Sequence, residues 1–284
     1  MASMRDIKRR KVSIQSTQQI TKAMKLVSTV RLQRAKSRAE RSRAYFDCMY
    51  RTVSSMLDKS GNIDHPYLKG SSSEKKAIIV ITSNRGLAGG FNSNITKLIT
   101  KGAFKKEDLY IYAIGSKGRD TLSRSGYSIK EDDSEIVEDP VYSDAAKVSK
   151  KVLDSFAAGE IGEIYIAYTA FKNTVVHIPT LMKLLPVETE SRESTEADNT
   201  PMNYEPEEEE ALDLIIPKYV TSIIYGALVE SVASENGARM QAMDSATSNA
   251  EDIISKLALQ YNRARQSSIT QELTEIIAGA EAIS

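Results

Sequence analysis

Tryptophan is absent, cysteine occurs once, and aromatic residues make up only 6% of the chain. A lone Cys48 can form no disulfide within the chain and offers no pair for a thiol switch, which fits a reducing, cytosolic setting. So few aromatics suit helical rods better than a large globular interior. Long hydrophobic runs are missing as well. The longest uninterrupted aliphatic stretch is AIIVI at 77–81, well short of the ~20 residues of a membrane-spanning helix. Residues 1–15 have no apolar stretch of the kind that marks a secretory signal. Only two histidines are present, His65 and His177, and neither sits in a metal-ligand pattern. Glycine and proline are both missing from residues 3–58, and proline is missing from 218–284.

Those last absences shape the fold. The region 3–58 reads as one long helix, with Ser3 as its cap and GNIDHP (61–66) as its stop. Its apolar positions, Ile7, Ile14, Ile20, Ala23, Val27, Val30 and later Phe46, Met49, Val53 and Met56, keep helical spacing. Between Gln33 and Ala44 the only apolar residues are three alanines, so that stretch must lie on small residues of another helix or face a partner. At ~1.5 Å per residue, the proline-free run from Lys218 to the end would reach roughly 100 Å as a single helix. It is crowded with small residues (Gly226, Ala227, Ala233, Gly237, Ala238, Ala242, Ala246, Ala250), which let helix backbones approach closely. A second helix is expected from about Glu207, with Pro217 bending it or marking its true start.

The middle of the chain changes period. KKAIIVITS (75–83), DLYIYAIG (108–115), EIYIAYTAF (163–171) and HIPTLMKLLPV (177–187) read as strands, with helices from Asn92 to about Lys101, after Ser116, and near Ser143–Ala158. Alternating strands and helices indicate an open α/β sheet. The fold expected is therefore α/β with long terminal helices: an antiparallel two-helix coiled coil with an inserted Rossmann-like domain. Its parts are residues 1–60, 75–190, an acidic loop at 191–206, and 207–284. A strict heptad is not sustained in the sequence, so the coil is expected to rest on length and small residues rather than on a leucine zipper.

A net charge of zero hides a marked asymmetry. Residues 1–51 carry 14 Lys/Arg against 3 acids, whereas residues 188–213 carry 11 acids against Arg192 alone. The basic helix raises nucleic-acid binding, yet no aromatic stands among its charges before Tyr45 and no zinc or helix-turn-helix pattern accompanies it; an acidic protein partner suits it better. The turn Gly86, Gly89, Gly90 follows a strand and opens a helix, where phosphates bind. Its spacing matches neither dinucleotide fingerprint nor P-loop, since Phe91 and Asn92 stand where Lys and Ser/Thr would be needed. A tight turn with a helix cap is the favoured reading. No catalytic constellation emerges, and no cofactor or metal is implied.

Four segments together carry a family likeness: SIQSTQQITKAMKLVSTVRL (13–32), SNRGLAGGFN (83–92), SENGARMQAMDSATSNA (234–250) and YNRARQSSITQELTEIIAGA (261–280). The chain resembles the gamma subunit of F-type ATP synthases, in the expected order over nearly its whole length. Ala88 stands where many relatives have Cys, and the paired-cysteine insertion of photosynthetic relatives is missing. The resemblance implies a non-catalytic central rotor shaft that couples proton (or sodium) flow to ATP synthesis or hydrolysis. It implies a hexamer of alpha and beta subunits around the shaft, with the epsilon subunit and the membrane proteolipid ring gripping the α/β domain. One copy per complex is expected, without nucleic acid and without a transmembrane segment of its own, and the start at Met1 suggests the cytoplasmic face of a bacterial membrane. By position, the resemblance implies partner contacts at Met24, Lys25, Arg239, Gln266, Thr270, Glu272 and Glu275. A rod-like scaffold or adaptor, or an enzyme using the glycine turn for a nucleotide, are the competing classes.

Overall fold

The computed structural model describes residues 4–59, 65–70, 73–102, 104–187 and 208–281. The acidic loop expected at 191–206 and the cap expected at Ser3 lie outside them. The elements run α1 (Met4–Lys59), α2 (Pro66–Lys69), β1 (Lys76–Ile81), α3 (Phe91–Thr100), β2 (Leu109–Ile114), α4 (Ser116–Arg124), β3 (Ser128–Asp132), α5 (Tyr142–Ala157), β4 (Glu163–Phe171), β5 (His177–Leu185) and α6 (Glu208–Glu281). Two compact units result, one of Met1–Ser28 with Arg239–Ser284 and one of Thr29–Ala238.

The larger unit is built on a five-stranded sheet ordered β3-β2-β1-β4-β5. β1 pairs in parallel with β2 and β4, β2 with β3, and β5 closes the far edge antiparallel to β4. This is a doubly wound sheet with one antiparallel edge strand. β1 lies at its centre and is buried on both sides, which explains its unbroken aliphatic run. Ala77, Ile79 and Ile81 face one layer, with α5 (Val148, Val152, Phe156) and α6 (Ile216, Val220, Ile224, Leu228) packed on them. Ile78 and Val80 face the other layer, against Ile95 and Ile99 of α3 and Leu122 of α4. That alternation is the period of two a strand imposes.

α6 does not begin or end at Pro217; it runs through it. The proline removes one backbone donor, but Ile216 and Val220 around it are fully buried, and that packing outweighs the lost bond. One 18-residue window of α6 is apolar enough by length and composition to cross a membrane, and 56% of it is buried inside the protein.

The small residues after Gly226 were expected to admit the first helix. Those near the sheet instead let α6 approach the ends of β4 and β5. Ser231 Oγ accepts from the Thr169 amide at 3.3 Å, and Ser234 Oγ donates to the Thr169 carbonyl at 3.1 Å. At Gly237 an added Cβ would sit 2.5 Å from His177 Nε2. That nitrogen is buried with no hydrogen-bond partner among the described residues, and burial holds the imidazole below its ordinary value of 6.5. The folded state therefore favours the neutral ring. Its contribution to stability is complete above pH 6.5 and is lost as pH falls through the lowered folded value. Urea midpoints taken between pH 7.5 and 5 should decline below about 6.5, and His177→Phe should flatten that decline; an unchanged slope in the variant would refute the assignment.

The smaller unit is an antiparallel helix pair. Gln18 Nε2 donates to Glu251 at 2.9 Å, the Thr21 and Thr247 hydroxyls meet at 2.8 Å, and Lys25 pairs with Asp244 at 2.5 Å. Each step forward on α1 is matched by a step back on α6. Here the structure corrects the heptad expectation. Besides Met24, Ala246 and Ala258, covered positions on α1 recur at 4, 7, 11, 14, 18, 21, 25 and 28, and on α6 at 243, 247, 250, 254, 257, 261, 264 and 268. That is an unbroken alternation of three and four, the seam of a left-handed coiled coil. The sequence conceals it because Lys11, Gln18, Thr21, Lys25, Ser28 and Thr247 occupy seam positions. Conversely Ile20 and Val27, which by spacing looked like core, are exposed.

Candidate functional site

Two regions could act on something outside the chain: the turn after β1 and the coil with its tip. The turn's polar groups accept the backbone amides at the start of the neighbouring α4. Thr82 Oγ1 accepts from the Gly118 amide at 2.9 Å, the Ser83 carbonyl from the Lys117 amide at 3.1 Å, and Asn84 Oδ1 from the Ser116 amide at 2.9 Å. Those three amides open α4. At the start of α3, the helix this turn itself opens, the Phe91 amide donates to the Ala88 carbonyl at 3.1 Å, and the N-cap Gly90 offers no side-chain cap. Asn92 receives the Ser83 amide at 2.9 Å and donates to its hydroxyl at 2.8 Å, while Arg85 reaches Glu138 at 3.0 Å. The geometry is that of a braced turn, as the sequence suggested.

The bracing holds one residue outward. Leu87 has φ +61° and is 64% exposed. A left-handed leucine costs roughly 1–2 kcal/mol, and an exposed apolar side chain held at such a cost belongs with contact residues. Nothing in the sequence names Leu87 except its place among glycines.

In the coil, the seven residues implied by the family resemblance fall into two groups. Met24 and Lys25 are half-buried along the seam, and Arg239 is buried. Gln266, Thr270, Glu272 and Glu275 are exposed on α6. Their bonds are local: Thr270 Oγ1 donates to the Gln266 carbonyl at 2.9 Å, Glu272 accepts from Ser268 at 3.3 Å, and Glu275 from Gln271 at 2.9 Å. Among them run Ile269, Leu273, Ile276 and Ile277, all about half exposed or more. Their spacing of four, three and one places them on a single helix face. The coil register explains the exposure, because it sets the start of α1 opposite the residues just before Gln266. Beyond that point no second helix covers α6 among the described residues.

A family model described as ATP synthase matches residues 3–283. The chain is 68% identical to the ATP synthase gamma chain of Lachnoclostridium phytofermentans, over the full length of both. The chain belongs to the ATP synthase gamma-chain family. It is 42% identical to the sodium-ion-specific ATP synthase gamma chain of Acetobacterium woodii, covering 99% of each. Among solved structures, a chain of the Euglena gracilis mitochondrial ATP synthase superposes with a TM-score of 0.71 at 16% identity, covering 99% of this chain and 94% of that one. A second Euglena structure, of the rotor, gives 0.67 at 17% identity, covering 94% and 98%. At such identities these two speak for the fold, which they share.

Family membership makes this a non-catalytic subunit whose place is the central-stalk rotor. That agrees with a turn whose polar side chains are spent on bracing its neighbours. It also gives the uncovered face of α6 a use that a self-contained domain would not have.

Proposed function

We propose that the chain is the turning shaft of an ATP synthase, carrying ion-driven rotation (proton or sodium) into a surrounding hexamer of alpha and beta subunits. The observation that carries this reading is the apolar face of Ile269, Leu273, Ile276 and Ile277, left uncovered beyond the end of the coil seam. A surface of that kind in a folded chain calls for a protein sleeve. Exposed polar residues beside it, Gln266, Thr270, Glu272 and Glu275, would meet the rim of the same sleeve; Met24, Lys25 and the buried Arg239 would support the shaft from within. Residues 1–60 and 207–284 form the shaft in this reading, and 75–190 the foot that receives the epsilon subunit and the proteolipid ring, with 191–206 as an acidic loop. The shaft has no nucleotide chemistry of its own. It works by differential contact: each orientation favours a different affinity at the three catalytic beta sites, a population shift imposed by rotation. The complex would sit on the cytoplasmic face of a bacterial membrane.

Co-purification at native salt should return this chain once for every three alpha and three beta subunits. Removing residues 270–284 deletes Leu273, Ile276 and Ile277. Burial of a large aliphatic side chain contributes about 1.5–3 kcal/mol, so ATP turnover and the yield of intact complex should each fall at least about tenfold. Unchanged activity and yield would sink the assignment of this face as the bearing.

A further inference from the structure

The hairpin of β4 and β5 closes on the pair Phe171 and His177, with residues 172–176 as its loop. That loop is braced from within: Asn173 Oδ1 accepts the Val175 amide at 2.9 Å and the Val176 amide at 2.8 Å, and the Asn173 amide donates to the Val176 carbonyl at 3.3 Å. β4 is tied to α6 by hydrogen bonds, through Ser231 and Ser234 on Thr169 and through Glu230, which accepts the Phe171 amide at 3.3 Å. β5 meets the same helix differently. The His177 ring lies flush on Gly237, so close that an added Cβ would sit 2.5 Å from Nε2 and 3.1 Å from Cε1. Glycine is unfavourable in a helix interior, but any side chain there would push the ring away. The nitrogen aimed at the helix is buried and has no hydrogen-bond partner among the described residues.

An imidazole in that seat fits in one protonation state and not in the other. The neutral ring keeps its proton on Nδ1 and lays a bare nitrogen against the helix. In the protonated ring both nitrogens are donors, and the one over Gly237 meets a helix interior whose carbonyls already accept from the next turn. A buried cation without an acceptor is strongly disfavoured, and turning the ring into water relieves it. No neighbouring charge compensates, since burial alone pushes the imidazole below its ordinary value. On α6, Glu230 shares the ring's side but lies two turns, ~10 Å, toward the helix start, while Glu235 and Arg239 stand two positions to either side, about 160° round the helix. On β4, burial and then the Glu230 charge push the Tyr168 phenol upward, so it stays neutral across the range concerned. Lys172 is exposed in the loop, and Lys183 pairs with Glu163 at 3.2 Å near the other end of the hairpin.

We propose that His177 is an acid-released latch between the β4–β5 hairpin and α6. The neutral ring seats on Gly237 and holds the start of β5 to the helix. The protonated ring leaves that seat, and the loop 172–176 comes away with it. The Ser231 and Ser234 hydroxyls on Thr169 do not titrate, so the rest of the sheet stays on α6 and the opening is local rather than global. Ala238, the next residue, is the last of the larger unit. The latch therefore sets how firmly the sheet holds α6 where that helix passes from one unit into the other. This device goes beyond the rotor reading and does not depend on it.

Hydrogen exchange of the intact complex at pH 7.5 and 5.5, read by peptide mass spectrometry and corrected for the intrinsic pH dependence of exchange, measures the opening. Peptides covering 171–178 should show an open population that rises several-fold on acidification. Its ceiling is about tenfold, set by an imidazole of ordinary pKa in the open state. Peptides covering β1 should not respond. Neither His177→Phe nor His177→Gln can take up the proton, and in both the acid response should vanish. Gly237→Ala approaches from the other side: it evicts the ring at either pH, so the same peptides should exchange fast at 7.5 as well as at 5.5. A wild-type hairpin indifferent to pH, an acid response that survives in both His177 variants, or a Gly237→Ala hairpin as protected at pH 7.5 as the wild type would each overturn the latch.

Discussion

A disulfide joining positions 21 and 247 should leave continuous ATP hydrolysis nearly untouched, while one joining position 275 to a beta subunit should abolish it. The first link is placed by the structure: the Thr21 and Thr247 hydroxyls are 2.8 Å apart, which brings the two Cβ atoms within reach of the ~3.8 Å a disulfide requires. Replacing Cys48 with serine first removes the only native thiol. If α1 and α6 turn as one body, a bond between them constrains nothing that moves. Glu275 is exposed beyond the end of the seam, so a bond from there to a beta subunit fixes the shaft to the sleeve. Hydrolysis should then drop to background and return with dithiothreitol. A static scaffold would tolerate both links alike. Sustained turnover with position 275 oxidised onto one beta subunit would defeat the rotary reading.

The strands of this fold were easy to read in the sequence, and the reason is physical. β1, β2 and β4 lie inside the sheet, so β1 carries an aliphatic run and β2 and β4 carry aliphatic residues alternating with tyrosines. β3 was missed because it is an edge. Its sequence SIKED has one aliphatic residue, and its charges are matched from outside: Lys130 with Glu160 at 2.5 Å, Lys151 with Glu131 at 3.0 Å, and Arg119 with Asp132. No local pattern reveals a strand that pairs on one side and is otherwise held by ion pairs. The coil failed in the opposite way. Its seven-residue repeat is real in burial but filled by threonine, serine, glutamine and lysine, so hydropathy pointed at Ile20 and Val27, which face outward. In a shaft those outward residues are the ones to expect, because its working surface is the outside. The tip residues Gln266, Thr270, Glu272 and Glu275 came from family likeness alone. Leu87 was hidden because a positive φ leaves no mark on residue type.

The two positive-φ glycines around the turn, Gly89 and Gly115, should respond to substitution very differently, and the contrast tests whether the turn is a braced platform. Gly89 has φ +54° with nothing within 4 Å of an added Cβ. Gly89→Ala should therefore cost only the left-handed penalty of about 1 kcal/mol. Gly115 has φ +113°, and a Cβ there would lie only 2.5 Å from the Thr82 carbonyl carbon, with the carbonyl oxygen closer still. Backbone cannot swing aside as a side-chain tip can. Thr82 is also fixed from both directions, its amide donating to the Ile114 carbonyl at 2.8 Å and its hydroxyl accepting the Gly118 amide at 2.9 Å. Gly115→Ala must then part β1 from the β2–α4 corner, breaking those bonds at the centre of the sheet. A loss of about 3 kcal/mol or more is expected, in the range reserved for strain at a special backbone conformation combined with a broken buried network. Chemical denaturation of the two variants side by side measures it. Hydrogen exchange should show the Gly118 and Ser116 amides losing protection in Gly115→Ala and keeping it in Gly89→Ala. Equal, small losses in both would mean that the corner is soft, and that Leu87 is not held outward by a rigid base.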